Sequence, residues 1–183
     1  VSVSVFVMPL STWLSGRFRP SWGPDGEGGE AAGPQRSPED VRRGLEALEA
    51  CVERALGKRP EWDESGPARL AMVFSVDGFF APFLEARRRS YRQKLPLLST
   101  LEPPQIWIPQ EFDVALPFPA PWNPPADWTV ASAPRLQVEL RRLLGAIEED
   151  ERPDLEETRR VGTRLLEMAA LGVTHAVPVI IEV

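Results

Sequence analysis

Asp77 directly follows the apolar run ARLAMVFSV at residues 68–76, a position from which sheets commonly present a functional carboxylate. Asp63 and Glu64 form a second acidic site nearby in sequence, and His175, the only histidine, precedes the last apolar run in GVTHAV. Paired carboxylates can do general acid and base work or hold a divalent ion, and one imidazole can add a proton relay. Each residue also has a plainer role. Asp-Gly after a strand is a turn, an acidic pair between Pro60 and Pro67 is a solvated loop, and a histidine at a strand entrance is a hydrogen-bonded structural residue. Cys51 has no base near it in sequence and reads as inert core at the margin of a helix. With one cysteine, neither a disulfide framework nor a thiolate metal site can form within the chain. The residue types therefore imply no metal centre and no cofactor.

A second group of candidates lies in EPPQIWIPQEFDVALPFPAPWNPPADW, residues 102–128, which holds eight prolines and three tryptophans. A disordered linker would lack the large apolar side chains needed to offset ordering entropy, and this stretch is rich in them. Pro121 and Pro124 have the spacing of a proline-rich ligand, but no Lys or Arg occurs from Leu95 to Pro134, where such ligands commonly carry a basic neighbour. Within the same span stand four acids, Glu102, Glu111, Asp113 and Asp127. An extended acidic segment bearing Trp107, Trp122 and Trp128 suits a contact surface for a basic protein partner, with Glu111, Asp113 and Asp127 steering the encounter. The plainer alternative puts the tryptophans in the core of the domain itself.

The elements that must position these residues are legible from period and punctuation. VSVSVFVM alternates as a strand, with Val1, Val3, Val5 and Val7 on one face. The Gly- and Pro-rich stretch that follows predicts a mobile loop from Gly23 to Gln35; its GPDGEGGEAAG lacks a phosphate-loop ending and leads into Glu39 and Asp40, which repel an anion. SPEDVRRGLEALEACVERALG predicts a helix capped by Ser37 and ended by Gly57. A strand at 68–76 should end in a turn at Asp77-Gly78, and a helix from Pro82 to Lys94 should expose a basic face made by Arg87, Arg88, Arg89, Arg92 and Lys94. Two antiparallel helices follow around an acidic turn at Asp150 to Pro153, the second closed by Gly172. HAVPVIIEV reads as an interior strand covered on both faces.

These elements make one α+β domain over residues 1–183: a single mixed sheet packed against about four helices, with the Pro/Trp-rich segment extended along a sheet edge because prolines forbid a central strand. The net charge of -6 argues against nucleic acid and anionic membrane as partners. The apolar opening has no basic leader and contains Pro9, so it reads as structure, and the setting expected is cytoplasmic. The functional expectation is a protein-binding module of inhibitor or immunity type. Its rivals are a small enzyme or ligand-binding domain using Asp77, His175 and one of Asp63 or Glu64 beneath Trp13 and Trp22, and an accessory subunit of a larger assembly.

Overall fold

The computed structural model describes residues 2–16, 36–89, 94–100, 102–122 and 127–183; the expected loop at Gly23–Gln35, Trp22 and the Tyr91–Arg92 part of the basic face lie outside them. Six strands form one mixed sheet: β1 (Ser2–Val7), β2 (Leu70–Ser75), β3 (Ile106–Ile108), β4 (Leu116–Pro119), β5 (Asp127–Ser132) and β6 (Val179–Glu182). Their order is β2-β1-β6-β3-β5-β4, with only β3 and β5 parallel. The helices are the short α1 (Leu10–Ser15) and the longer α2 (Pro38–Leu56), α3 (Val76–Arg89), α4 (Ala133–Ile147) and α5 (Leu155–Thr174). The chain is thus α+β with a mixed sheet, as its pattern predicts.

Strand alternation sends two sets of side chains to opposite sides of the sheet. Val3, Val5, Val7, Phe74, Trp107, Val179 and Ile181 pack with Phe79 and Phe83 of α3, Leu140 of α4 and Leu165 of α5. Phe6, Ala71, Ile106, Ile108, Phe118, Val130 and Ile180 pack with Leu10 and Trp13 of α1 and Leu48 and Val52 of α2. β6 lies between β1 and β3, and Val179, Ile180 and Ile181 are all buried, because each sheet face has its own helical cover. No helix of the described residues is long and apolar enough to cross a membrane.

Local chemistry sets several boundaries as expected. Ser37 Oγ accepts the Asp40 N–H at 3.1 Å, Pro38 opens α2, and Gly57 closes it at φ 69° by donating to Glu53 O. Other boundaries differ. β2 passes straight into α3 with no turn at Asp77-Gly78: Ser75 Oγ accepts the Gly78 N–H at 3.2 Å and caps the helix, placing Asp77 in its first turn. Pro82 consequently sits inside α3 rather than at its start, lacking the N–H that would have reached back to Gly78 O. Gly172 does not end α5. The helix runs to Thr174 and closes with Ala176 N–H on Val173 O and Val177 N–H on Gly172 O, while residue 172 must lack a side chain because Val177 O would stand 2.9 Å from its Cβ.

The Pro/Trp-rich segment does not run as one edge. Its Ile106–Ile108 stretch is an interior strand between β6 and β5, because Pro103, Pro104 and Pro109 flank those three residues without interrupting them. β4, with Pro117 and Pro119, does take the edge beside β5.

Two arginines of the α3 basic face, Arg88 and Arg89, engage acids within the fold. Arg89 bonds Glu85 Oε1 at 2.5 Å, Asp150 Oδ2 at 2.9 Å and Ala146 O at 3.0 Å; Arg88 approaches Glu85 and Asp154, and Arg152 reaches back to Glu85 Oε1 at 2.9 Å. Burial pushes the Glu85 carboxyl up, but its hydrogen bonds and charges from Arg89 and Arg152 outweigh that and hold its pKa below the usual range. The acids met are Glu85 of α3 itself and Asp150 and Asp154 between α4 and α5, not those of residues 102–128. Glu139, fully buried on α4, accepts the backbone N–H groups of Leu97 and Leu98 at 3.0 and 2.9 Å and ties the turn at residues 96–99 to the helix.

Candidate functional site

The two acids near residue 64 and the histidine share one end of the sheet, and Asp77 lies at the other. Asp63 N–H donates to Ala176 O at 2.6 Å, beside His175, which caps α5 by donating its own N–H to Leu171 O. Residues 70 and 75 mark the two ends of β2, paired with Val7 and Ser2, so the length of this six-residue strand, roughly 17–20 Å, separates Asp77 from the other three. Glu64 is further committed: its two oxygens accept the N–H groups of Leu10 and Ser11 at 3.2 and 2.8 Å and cap α1. Asp63 Oδ1 accepts both the N–H and the hydroxyl of Ser65, and the hydroxyl bond, first among the causes, holds its pKa below the usual carboxylate range. The carboxylate and histidine set does not assemble. Among the described residues no cluster of three His, Cys, Asp or Glu side chains could hold a metal ion.

The aromatic candidates divide differently. Trp107 is fully buried on the α3–α4–α5 side of the sheet and offers no surface, which corrects its place among the contact residues. Trp122 and Trp128 lie on the other side, half-buried, at the tip of the β4–β5 hairpin. Trp122 and Trp128 meet edge to face at 5.5 Å; Trp13 from α1 packs at 6.1 Å from Trp122 and 5.3 Å from Trp128; Phe118 adds a ring at 5.3 Å from Trp122. Gly44 of α2 makes room for this cluster: a Cβ there would stand 3.0 Å from the Trp122 ring.

The acids of the segment are split by β5. Asp127 is exposed at the hairpin tip, whereas Glu111 and Asp113 lie beyond the end of β3, beside the start of α4, where Arg135 approaches Asp113 at 3.4 Å. They make no continuous acidic strip with the tryptophans.

A cleft of about 310 Å³ opens beside Trp122, lined by Arg36, Asp40, Arg43 and Pro121. Arg36 Cζ lies 5.8 Å from the Trp13 ring centroid, and Arg36 Nη1 donates to Leu14 O at 3.5 Å. Burial lowers the Arg36 pKa against the opposing charges of Glu182 and Asp40. Trp122 Nε1 is buried with no hydrogen-bond partner among the described residues. The wall therefore offers guanidinium donors, an aromatic face and one carboxylate, which together can hold a side chain that is flat or apolar along its body and carries an acceptor at its end. The sequence did not reveal Arg36 and Arg43 as part of this wall, since each reads as an ordinary charge at a helix start. The signal that could have found them is the helical spacing of Asp40, Arg43 and Gly44, which places the glycine beside the two polar residues on one side of α2. No protein-family model, curated protein or solved structure matches the chain.

Proposed function

We propose that this protein acts by binding another protein at the β4–β5 hairpin tip, with Trp122 and Trp128 as anchors and the adjoining cleft receiving a partner side chain. The observation that carries this reading is Trp122 itself: a half-buried indole standing in the wall of a cleft beside Arg36 and Arg43. Aromatic and arginine side chains around a pocket are the usual composition of an interface hot spot. A surface for a basic partner requires Glu111, Asp113 and Asp127 to stand together, and Arg135 and the length of β5 keep the first two from the tip. With Asp127 alone at the tip, the donors of the cleft favour a partner side chain ending in a carboxylate or amide oxygen. Inhibition of the bound protein, in the manner of an immunity protein, is the functional form we attach to this contact. The enzyme reading has no comparable support, because Asp77 stands a strand's length from Asp63, Glu64 and His175.

Capture from a lysate of the organism that encodes the chain, run in parallel with wild type, Trp122→Ala and Leu84→Ala, tests the site. A protein retained by wild type and Leu84→Ala but lost with Trp122→Ala is the expected result, with a binding cost of about 2 kcal/mol or more once the pair is purified. Equal retention by all three removes the hairpin tip from the contact.

A further inference from the structure

The two edges of the sheet are protected unequally. β4 carries Pro117 and Pro119, and the Pro117 carbonyl is taken by Cys51 Sγ at 3.6 Å. β2, Leu70–Ser75, has neither a proline nor a charged residue, and among the described residues no strand pairs with its outer side. Natural sheets normally blunt such an edge with proline, charge or cover.

The outward backbone groups of β2 can be assigned. Arg69 N–H donates to Val7 O at 2.8 Å, so Val7 turns its polar groups toward β2, while Met8 N–H donates to Pro178 O on the β6 side. Alternation along β1 then directs Val3, Val5 and Val7 to Phe74, Met72 and Leu70. Ala71, Val73 and Ser75 are left presenting their backbone groups to the outside. Val73 is also 68% exposed, and Leu84 of the adjoining α3 is 54% exposed, two of the few large apolar side chains left open to solvent among the described residues.

We infer that this edge is a homodimer interface, in which β2 pairs antiparallel with β2 of a second copy about a two-fold axis at Val73. That register lets Val73 of each copy donate to and accept from its equivalent, and Ser75 N–H of each copy donate to Ala71 O of the other. Directly opposed residues share a sheet face, so the two Val73 side chains cover one another. The register also brings the start of β2, which Arg69 immediately precedes, to the end of the partner's β2, where the first turn of α3 carries Asp77; both residues are exposed, and opposite charges thus meet at both ends of the paired strands. Centring the pair on Ala71 instead would oppose Val73 to Arg69 and lose this complementarity. Because β2 and β4 are opposite edges, the dimer keeps both hairpin tips free at the far ends of one continuous sheet.

Sedimentation equilibrium of the purified chain over a wide concentration range, with three sets of variants, tests the interface. Wild type should show a reversible monomer–dimer equilibrium, and Val73→Arg should weaken it about tenfold or more by opposing two like charges, while Val114→Arg, another exposed valine, leaves it unchanged. Arg69→Asp and Asp77→Arg should each weaken dimerisation, and the double variant should recover it. In a Cys51→Ser background, Val73→Cys should give a covalent dimer with a short bismaleimide, and Val114→Cys should not. Circular dichroism and melting of each variant verify that it is folded. A monomer at every concentration, a dimer indifferent to Val73→Arg, or a charge-reversed pair that fails to recover would each overturn the proposal.

Discussion

Gly44 and Trp122 are fitted to one another: a Cβ at residue 44 would stand 3.0 Å from two carbons of the indole and 3.1 Å from Leu14. The glycine lets the hairpin tip lie against α2. Gly44→Val should therefore displace the ring, with a stability loss of about 1–3 kcal/mol in urea unfolding and weaker partner binding. Gly44→Ala should be milder, since the helix-propensity gain of about 1 kcal/mol opposes the tight contact.

The two kinds of tryptophan should separate in a single mutational series. Trp107→Ala empties a fully enclosed site and is expected to cost about 3–5 kcal/mol of folding stability. Trp128→Ala, at a half-exposed position, should cost markedly less and act mainly on binding. Denaturant midpoints measured beside partner affinity check both effects.

Glu139 should give stability an unusual pH response. Burial raises its pKa above the ordinary carboxylate value, against the opposing N–H groups of Leu98 and Leu97 and the charges of Arg135 and Arg142. The folded state therefore binds this proton more tightly than the unfolded chain. Its favourable contribution is full below the unfolded-state pKa and is lost as pH rises through the folded-state value. Glu139→Gln should remove that slope, so the stability gap between wild type and variant should narrow from acidic pH toward neutrality.

Glu85 has the opposite sign. Arg89 and Arg152 prevail over its burial and hold its pKa low, so its contribution is present above the ordinary carboxylate range and lost as pH falls through the folded-state pKa. Glu85→Gln should flatten the acid side of the stability curve. At neutral pH it should cost about 2 kcal/mol, less than for a fully enclosed ion pair, because both arginines reach water.

Ala176 adopts φ 51° in the turn that closes α5, a left-handed conformation that a side chain disfavours. Ala176→Gly should raise stability by up to about 1 kcal/mol, with the midpoint shifting and the denaturant slope unchanged.

What the sequence alone determined is what short-range physics controls. The alternation of VSVSVFVM, the Ser37 cap with Pro38 and Gly57, and the apolar stripes of α4 and α5 each depend on residues a few positions apart, and together they imply the α+β class. Gly and Pro were less informative, because the same residue can end an element or lie within one. Ser75 capping turned the Asp77-Gly78 signal into the first turn of α3, and Pro82 was absorbed as that helix continued. The candidate site depended most on tertiary structure. Trp107, Trp122 and Trp128 are alike as residue types, yet strand register sends the first into the core and leaves the others at a hairpin tip. Sheet order likewise separates Asp77 from His175 and Asp127 from Glu111, and packing brings Arg36 to Trp13 and Trp122 to Gly44. Such pairings are set by which strands lie side by side and which face each residue takes, and a one-residue change of register would reverse every face along a strand.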